Sequence, residues 1–178
     1  IELGSLEEAI SSYKEAIAHK ENYPGAHNNL GNVLQALGKT KEAIVSYQKA
    51  LTFKSDYAEA HYNLGKSFQK LGDWDEAVTS YHKTLALKPN YPEAHNNLGN
   101  VRKELKMMDE AIINYRRAFE LKPDFLQAYY NLGKTFSDLG MFSEAVTICK
   151  KAITIKPKYP DTYFNLGLIF QKFGKLDE

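Results

Sequence analysis

The chain is poor in what cross-linking and chemistry need. It holds one cysteine, Cys149, among 178 residues, so no disulfide can close within it. That fits a reducing, intracellular and cytoplasmic setting. No apolar run approaches the roughly 18 residues that a membrane span requires. Charge of one sign is also missing: 23 basic and 22 acidic residues leave a net charge of +1. Nothing global therefore draws the chain to nucleic acid or to an anionic membrane surface. No Ser-His-Asp order, phosphate-cradling glycine loop or paired-carboxylate site appears. No catalytic residue and no cofactor is expected. No signal-peptide pattern and no initiator Met opens the chain, which starts at Ile1-Glu2-Leu3-Gly4.

What is present is a repeat. Ala26-His27-Asn28-Asn29-Leu30-Gly31 returns as Ala60-His61-Tyr62-Asn63-Leu64-Gly65 and as Ala94-His95-Asn96-Asn97-Leu98-Gly99. It returns again as Ala128-Tyr129-Tyr130-Asn131-Leu132-Gly133 and as Thr162-Tyr163-Phe164-Asn165-Leu166-Gly167, each time after 34 residues. A fixed period of this length marks a solenoid of small helical units. The register gives complete units at 24–57, 58–91, 92–125 and 126–159, with partial units at 1–23 and 160–178.

Each unit reads as two helices. In the first, Ala26, Leu30, Gly31, Leu34 and Leu37 form one apolar stripe at helical spacing. Pro24, Pro92 and Pro160 suit its first turn, where a missing N–H costs nothing. Gly38, Gly72, Gly140 and Gly174 follow it, as a helix C-terminus prefers, while Lys106 takes that place in one unit at some backbone strain. The second helix opens on acidic residues (Glu42, Asp75-Glu76, Asp109-Glu110, Glu144) that complement the dipole and can cap free N–H groups. It carries stripes such as Ala43, Ile44, Tyr47, Ala50 and Leu51, and stops before Lys88-Pro89, Lys122-Pro123 and Lys156-Pro157. Gly31, Gly65, Gly99, Gly133 and Gly167 lie mid-helix, where glycine costs about 0.5–1 kcal/mol against alanine. Five recurrences imply close helix contacts, with Ala43, Ala77, Ala111 and Ala145 as expected partners.

These residues resemble the tetratricopeptide repeat (TPR) family. Unit 58–91 supplies the pattern as His61, Leu64, Gly65, Phe68, Ala77, Tyr81, Thr84 and Pro89. The match covers essentially the whole chain. Departures are local: His or Tyr stands in the Trp position, Arg102 in the position of Leu34 and Phe68, Ser55 in that of proline, and Cys149 in that of the tyrosine. The resemblance implies an all-α fold, a right-handed superhelical solenoid of antiparallel helix pairs, with a concave groove lined by the first helices. Neither end reads as a polar cap: residues 6–20 form a second helix, Leu168, Ile169, Phe170 and Phe173 are still apolar, and Lys175-Leu176-Asp177-Glu178 begins another helix. A fragment of a longer array, able to associate end to end, is the expectation.

Asn29, Asn63, Asn97, Asn131 and Asn165 carry the functional signal. They stand one residue before the core leucine, and asparagine is a modest helix former. Either they bond neighbours and hold the stack together, or they form a ladder of amides along the groove. A primary amide has both donor and acceptor, so it can pair with the backbone of an extended peptide. Such ladders occur in TPR proteins, including arrays of O-linked N-acetylglucosamine transferases. Flanking positions are Asn28, Tyr62, Asn96, Tyr130 and Phe164, then Asn32, Lys66, Asn100 and Lys134; Tyr offers contact area at low entropy cost. The clamp by which some TPR proteins hold a chaperone's C-terminal carboxylate is not matched. Asn32 and Asn63 fit its asparagines, but Asn28, Glu93 and Asn97 stand where its cations belong.

Other recurrences read as structural. His27, His61 and His95 lie about 8–10 Å apart from unit to unit, too far to converge on one metal ion. Cys149 reads as a small buried thiol. Arg102, Lys103, Lys106, Arg116 and Arg117 make a local basic patch, a weak nucleic-acid signal. The expected function is protein–protein recognition of an extended peptide. The alternatives are a substrate-recruiting arm of a larger transferase and a self-assembling structural array.

Overall fold

A computed structural model describes residues 3–174. Among these residues the secondary structure is helical, in the order α1 (Leu3–His19), α2 (Pro24–Ala36), α3 (Thr40–Phe53), α4 (Ala58–Leu71), α5 (Trp74–Leu87), α6 (Pro92–Glu104), α7 (Met108–Leu121), α8 (Leu126–Asp138), α9 (Phe142–Ile155) and α10 (Pro160–Gly174). This is the all-α array of helix pairs expected from the repeat. The further helix expected at Lys175-Leu176-Asp177-Glu178 lies outside the described residues. The chain forms two compact units, Ile1–Pro89 and Asn90–Glu178.

In the first unit α2 packs on α3 and α4 on α5, while α3 joins the two pairs. Its core gathers Leu30, Leu34, Ala43, Ile44, Tyr47 and Leu64, with Ile10, Tyr13 and Ile17 of α1 against it. In the second unit α6 packs on α7, α8 on α9, and α10 on both α8 and α9. Its core includes Tyr115, Tyr129, Leu132, Phe136, Ile148 and Ile169. Each stripe read from the sequence thus faces a neighbouring helix, the source of most helix stability in so short an element.

The helix ends follow from single residues. Gly38, Gly72 and Gly140 have φ of +76°, +84° and +75°, the left-handed conformation that glycine adopts without a Cβ clash. Lys106 takes the same role at φ 63°. Its N–H bonds Lys103 O at 3.0 Å and the next N–H, of Met107, bonds Arg102 O at 2.9 Å, the paired pattern that closes a helix C-terminus. Gly174, expected beyond a helix, is instead the last residue of α10.

The acidic residues of α3, α5, α7 and α9 do lie in first turns, yet no side chain caps the N-terminus of any of these helices. Their contribution is through the dipole, and even Asp73, a residue type suited to capping, forms no cap bond. The lysines after the second helices have a further role. Lys54, Lys122 and Lys156 each place Nζ within 5.1–5.4 Å of the ring centre of Tyr57, Phe125 and Tyr159, three residues on. Lys20 does the same with Tyr23. A cation over a ring face is attracted by its quadrupole, so this contact helps fix the turn into the next unit.

At Gly31, Gly65 and Gly99 the nearest contacts are with tyrosine rings rather than the expected alanines, while Gly133 does meet its expected partner Ala145. A Cβ on Gly31, Gly65 or Gly99 would lie 2.5, 2.8 and 2.7 Å from ring atoms of Tyr47, Tyr81 and Tyr115. The three rings are buried and lie against the glycine backbone, leaving no room for a methyl group. Burial, with Glu59 adding to it, pushes the Tyr47 phenol up to about 12. A Cβ on Gly133 would lie 3.3 Å from Asn165 Nδ2, 3.5 Å from Cys149 Sγ and 3.8 Å from the Ala145 carbonyl oxygen, and one on Gly167 would meet nothing within 4 Å among the described residues.

Candidate functional site

The asparagines of the first helices form a bonded network inside each unit. In the first unit Asn63 on α4 donates both Nδ2 hydrogens across to α2, to Asn28 Oδ1 at 3.2 Å and Asn32 Oδ1 at 3.0 Å. Asn32 Oδ1 also accepts from Tyr47 OH at 2.9 Å. The second unit repeats the arrangement: Asn131 on α8 donates to Asn96 Oδ1 at 2.9 Å and Asn100 Oδ1 at 3.0 Å on α6. Asn100 Oδ1 accepts from Tyr115 OH at 3.0 Å. Asn28 and Asn96 also reach sideways, each donating to the next residue's Oδ1 (Asn29 and Asn97) at 3.4 Å.

This geometry gives the predicted positions different environments. Asn29 is exposed, whereas Asn63, Asn97 and Asn131 are half-buried. Asn28 and Asn96, expected along an open face, are buried at 0% and 3% exposure because each receives an amide from the next first helix. Asn165, expected off the buried stripe, is likewise buried and donates to Cys149 Sγ at 3.4 Å. The reason lies in its neighbours. Asn63 meets Asn28 and Asn32, and Asn131 meets Asn96 and Asn100. The corresponding residues for Asn165 are Tyr130 and Lys134, which offer no amide oxygen.

That alternation is the signal the repeat register concealed. Units 24–57 and 92–125 carry Asn/Asn at these two places; units 58–91 and 126–159 carry Tyr/Lys. Its effects reach the core. A lysine cannot accept a hydrogen bond, so Tyr81 OH turns to Gln69 Oε1 at 2.7 Å rather than to Lys66. Lys66 instead places Nζ 5.6 Å from the Tyr62 ring centre, and the Tyr62 ring lies 6.0 Å from that of Tyr81. Lys134 is exposed and Tyr130 half-buried.

Tyr130 also borders a pocket of about 290 Å³ in the second unit. Cys149, Ala152 and Tyr129 form its buried side, with Thr162, Phe164 and Asn165 contributed by α10. Burial pushes the Cys149 thiol up, against the opposing hydrogen bond from Asn165. A protonated thiol in this setting is a packing group.

The remaining sequence candidates take structural partners. His27 Nε2 and His61 Nε2 each lie 2.9 Å from a backbone carbonyl, of Glu21 and Ser55. Among the described residues, no group of three His, Cys, Asp or Glu side chains could hold a metal ion. Three cations of the basic patch face carboxylates: Arg102 pairs with Glu110, Lys103 with Asp138 at 2.7 Å, and Arg117 with Glu120 at 3.5 Å. Among the described residues no helix is long and apolar enough to cross a membrane.

The fold is similar to that of solved structures. The crystal structure of MamA shares 29% identity and covers 87% of this chain and 91% of that chain at a TM-score of 0.83. A tetratricopeptide repeat protein from Parabacteroides merdae ATCC 43184, 22% identical, covers 97% of this chain and 68% of that one at 0.84. YrrB, described as a TPR protein with an unusual peptide-binding site, is 24% identical and covers 89% and 82% at 0.75. No curated protein matches the chain. The family described as "TPR repeat" matches residues 1–38, 36–72, 68–106 and 107–140, and "Tetratricopeptide repeat" matches 126–159. The chain belongs to the tetratricopeptide repeat family.

Proposed function

We propose that the chain is a binding module that holds an extended peptide segment along its first helices, and that it does no chemistry of its own. The carrying observation is the fixed asparagine amide. Asn63 and Asn131 commit both Nδ2 hydrogens to the preceding first helix. That sets the plane of each amide and leaves Oδ1 as the group for a ligand. Gln127 Nε2 already donates to Asn131 Oδ1 at 3.1 Å, using one of its two acceptor positions. In each unit the fixed amide is therefore an acceptor for a peptide N–H group, a narrower role than pairing with both backbone groups. Because every residue but proline carries an N–H, such acceptors take extended backbone with little demand on side chains. Asn97 is the equivalent amide in unit 92–125; Tyr62, Lys66, Asn100, Tyr130 and Lys134 add preference beside these positions, with the exposed Asn29, Asn32 and the inward-turned Asn165 at their margins. YrrB, a protein of the same fold, carries a peptide-binding site.

The test is binding of a random extended-peptide library to the protein and to a variant with Asn63, Asn97 and Asn131 changed to alanine. Peptides should bind the protein and be lost from a variant that keeps its helical circular-dichroism signal. Equal binding to a folded variant would mean that the asparagines serve the stack alone.

A second reading rests on α10, where Phe170 and Phe173 are 52% and 48% exposed on one side of the helix. An apolar face of this kind suits docking of a further helix, and end-to-end self-association would supply one. Sedimentation across a hundredfold concentration range should then show mass growth that Phe170→Asp suppresses. A concentration-independent monomer would dismiss it.

A further inference from the structure

We propose that the pocket beside Cys149 takes one aromatic side chain of the bound segment. The inference rests on the peptide-binding reading above and adds the chemical class of residue that anchors there.

In the units that carry Tyr47, Tyr81 and Tyr115, a buried phenol lies against the first-helix glycine and fills the space between the two helices. Unit 126–159 has the same glycine, Gly133, and the same two helices, but Cys149 stands where the ring belongs. The thiol is a much smaller group. It meets Gly133 at 3.5 Å from a built Cβ, where the rings come to 2.5–2.8 Å. A pocket of about 290 Å³ borders Cys149 on the side facing α8 and α10. Asn165 Nδ2, 3.3 Å from the built Cβ, takes part of the space beside Gly133 that a ring fills in the sister units, and the open room lies next to it, between Cys149 and residues 126–130 of α8.

The lining matches an aromatic guest. Tyr129 is held by stacking on Phe119, with ring centres 4.4 Å apart and planes at 18°, so that wall is rigid. Tyr130 and Phe164 present further rings, and Cys149 adds a polarisable sulfur. Rings paired edge-to-face or offset attract one another beyond what their burial contributes. Asn165, Gln127 and Asp161 supply polar atoms near the ring positions. The lining also joins the proposed ladder to the pocket: Gln127 donates to Asn131, and Tyr130 precedes it in sequence. An extended segment bonded at Asn131 can direct a side chain into the pocket.

Two measurements test this. The first uses p-cresol, the tyrosine side chain without its backbone, titrated into the ¹⁵N-labelled full chain. Saturable shifts at the amides of Tyr130, Cys149, Thr162 and Asn165 are expected. Cys149→Tyr, which restores the ring of the sister units, should weaken p-cresol at least tenfold. Phe164→Ala, at an exposed wall residue, should weaken it several-fold and covers the case in which the tyrosine variant does not fold. Absence of shifts at those amides, or p-cresol binding unchanged in a folded Cys149→Tyr or in Phe164→Ala, overturns the proposal. The second compares library-selected peptides before and after each aromatic residue is changed to alanine. One position should cost at least tenfold in the protein and little in Cys149→Tyr. Peptides that bind with no aromatic dependence overturn the pocket and leave the ladder standing. p-Cresol binding without any peptide binding overturns the ladder and leaves the pocket's aromatic preference in place.

Discussion

Adding one methyl group at the first and the last of the five repeat glycines should move stability in opposite directions. Gly31→Ala brings a Cβ to 2.5 Å from the Tyr47 ring. Overpacking of this kind costs about 1–3 kcal/mol. The helix-propensity gain of about 0.5–1 kcal/mol does not offset it. Gly167→Ala meets nothing within 4 Å, so the propensity gain should stand and raise stability by about 0.5–1 kcal/mol. Urea midpoints of the two variants should therefore fall on either side of the parent. The sequence alone did not distinguish these glycines. Alanine and tyrosine both recur in the second helix, and only the geometry shows which of them faces Gly31. Periodicity reports that a position is buried, not against what. Cys149 was legible as an exception, but the space beside it was not, since a cavity is set by what several chain-distant residues leave unfilled.

At the scale of the element, the helix ends are governed by one backbone conformation, and α6 reaches it without glycine. A left-handed φ costs a side-chain-bearing residue roughly 1–2 kcal/mol. Lys106 adopts it at φ 63°, and its side chain is exposed. Lys106→Gly should stabilise the protein by about 0.5–1 kcal/mol, the strain relieved less the extra freedom glycine gives the unfolded chain. Differential scanning calorimetry should show a raised Tm; a lowered one would mean that Lys106 makes compensating contacts. Helix boundaries of this sort were legible, because proline, glycine and apolar spacing are local. The asparagine contacts were not. Asn63 reaches residues 35 and 31 positions back, and a single repeat read by itself has no such distances.

Across the molecule, the second unit carries an electrostatic tie between three first helices. Asp138 on α8 binds Lys103 on α6 at 2.7 Å and Lys172 on α10 at 3.0 Å. Partial burial pushes its carboxyl up, but the two ammonium groups outweigh burial and hold it below the ordinary value of 3.8. The folded state therefore prefers the ionised carboxylate. Its contribution is present above pH 3.8 and is lost as pH falls through the lowered folded value. Protection factors of the α6, α8 and α10 amides, taken relative to intrinsic exchange at each pH, should fall as pH is lowered through this range. Asp138→Asn should be less stable at neutral pH and show a flatter acid limb. In a repeat array stability is close to a sum over neighbours, so the effect should stay within the second unit.

The alternation of Asn/Asn with Tyr/Lys rows bears on how such a chain can lengthen or shorten. Every first helix carries the donor asparagine or its equivalent, but only alternate ones carry the paired acceptors. Duplicating or deleting two repeats together preserves that phase, whereas a change of one brings like rows next to each other. Two repeats, not one, are then the module by which recombination or design can resize this array without rewriting its amide bonds.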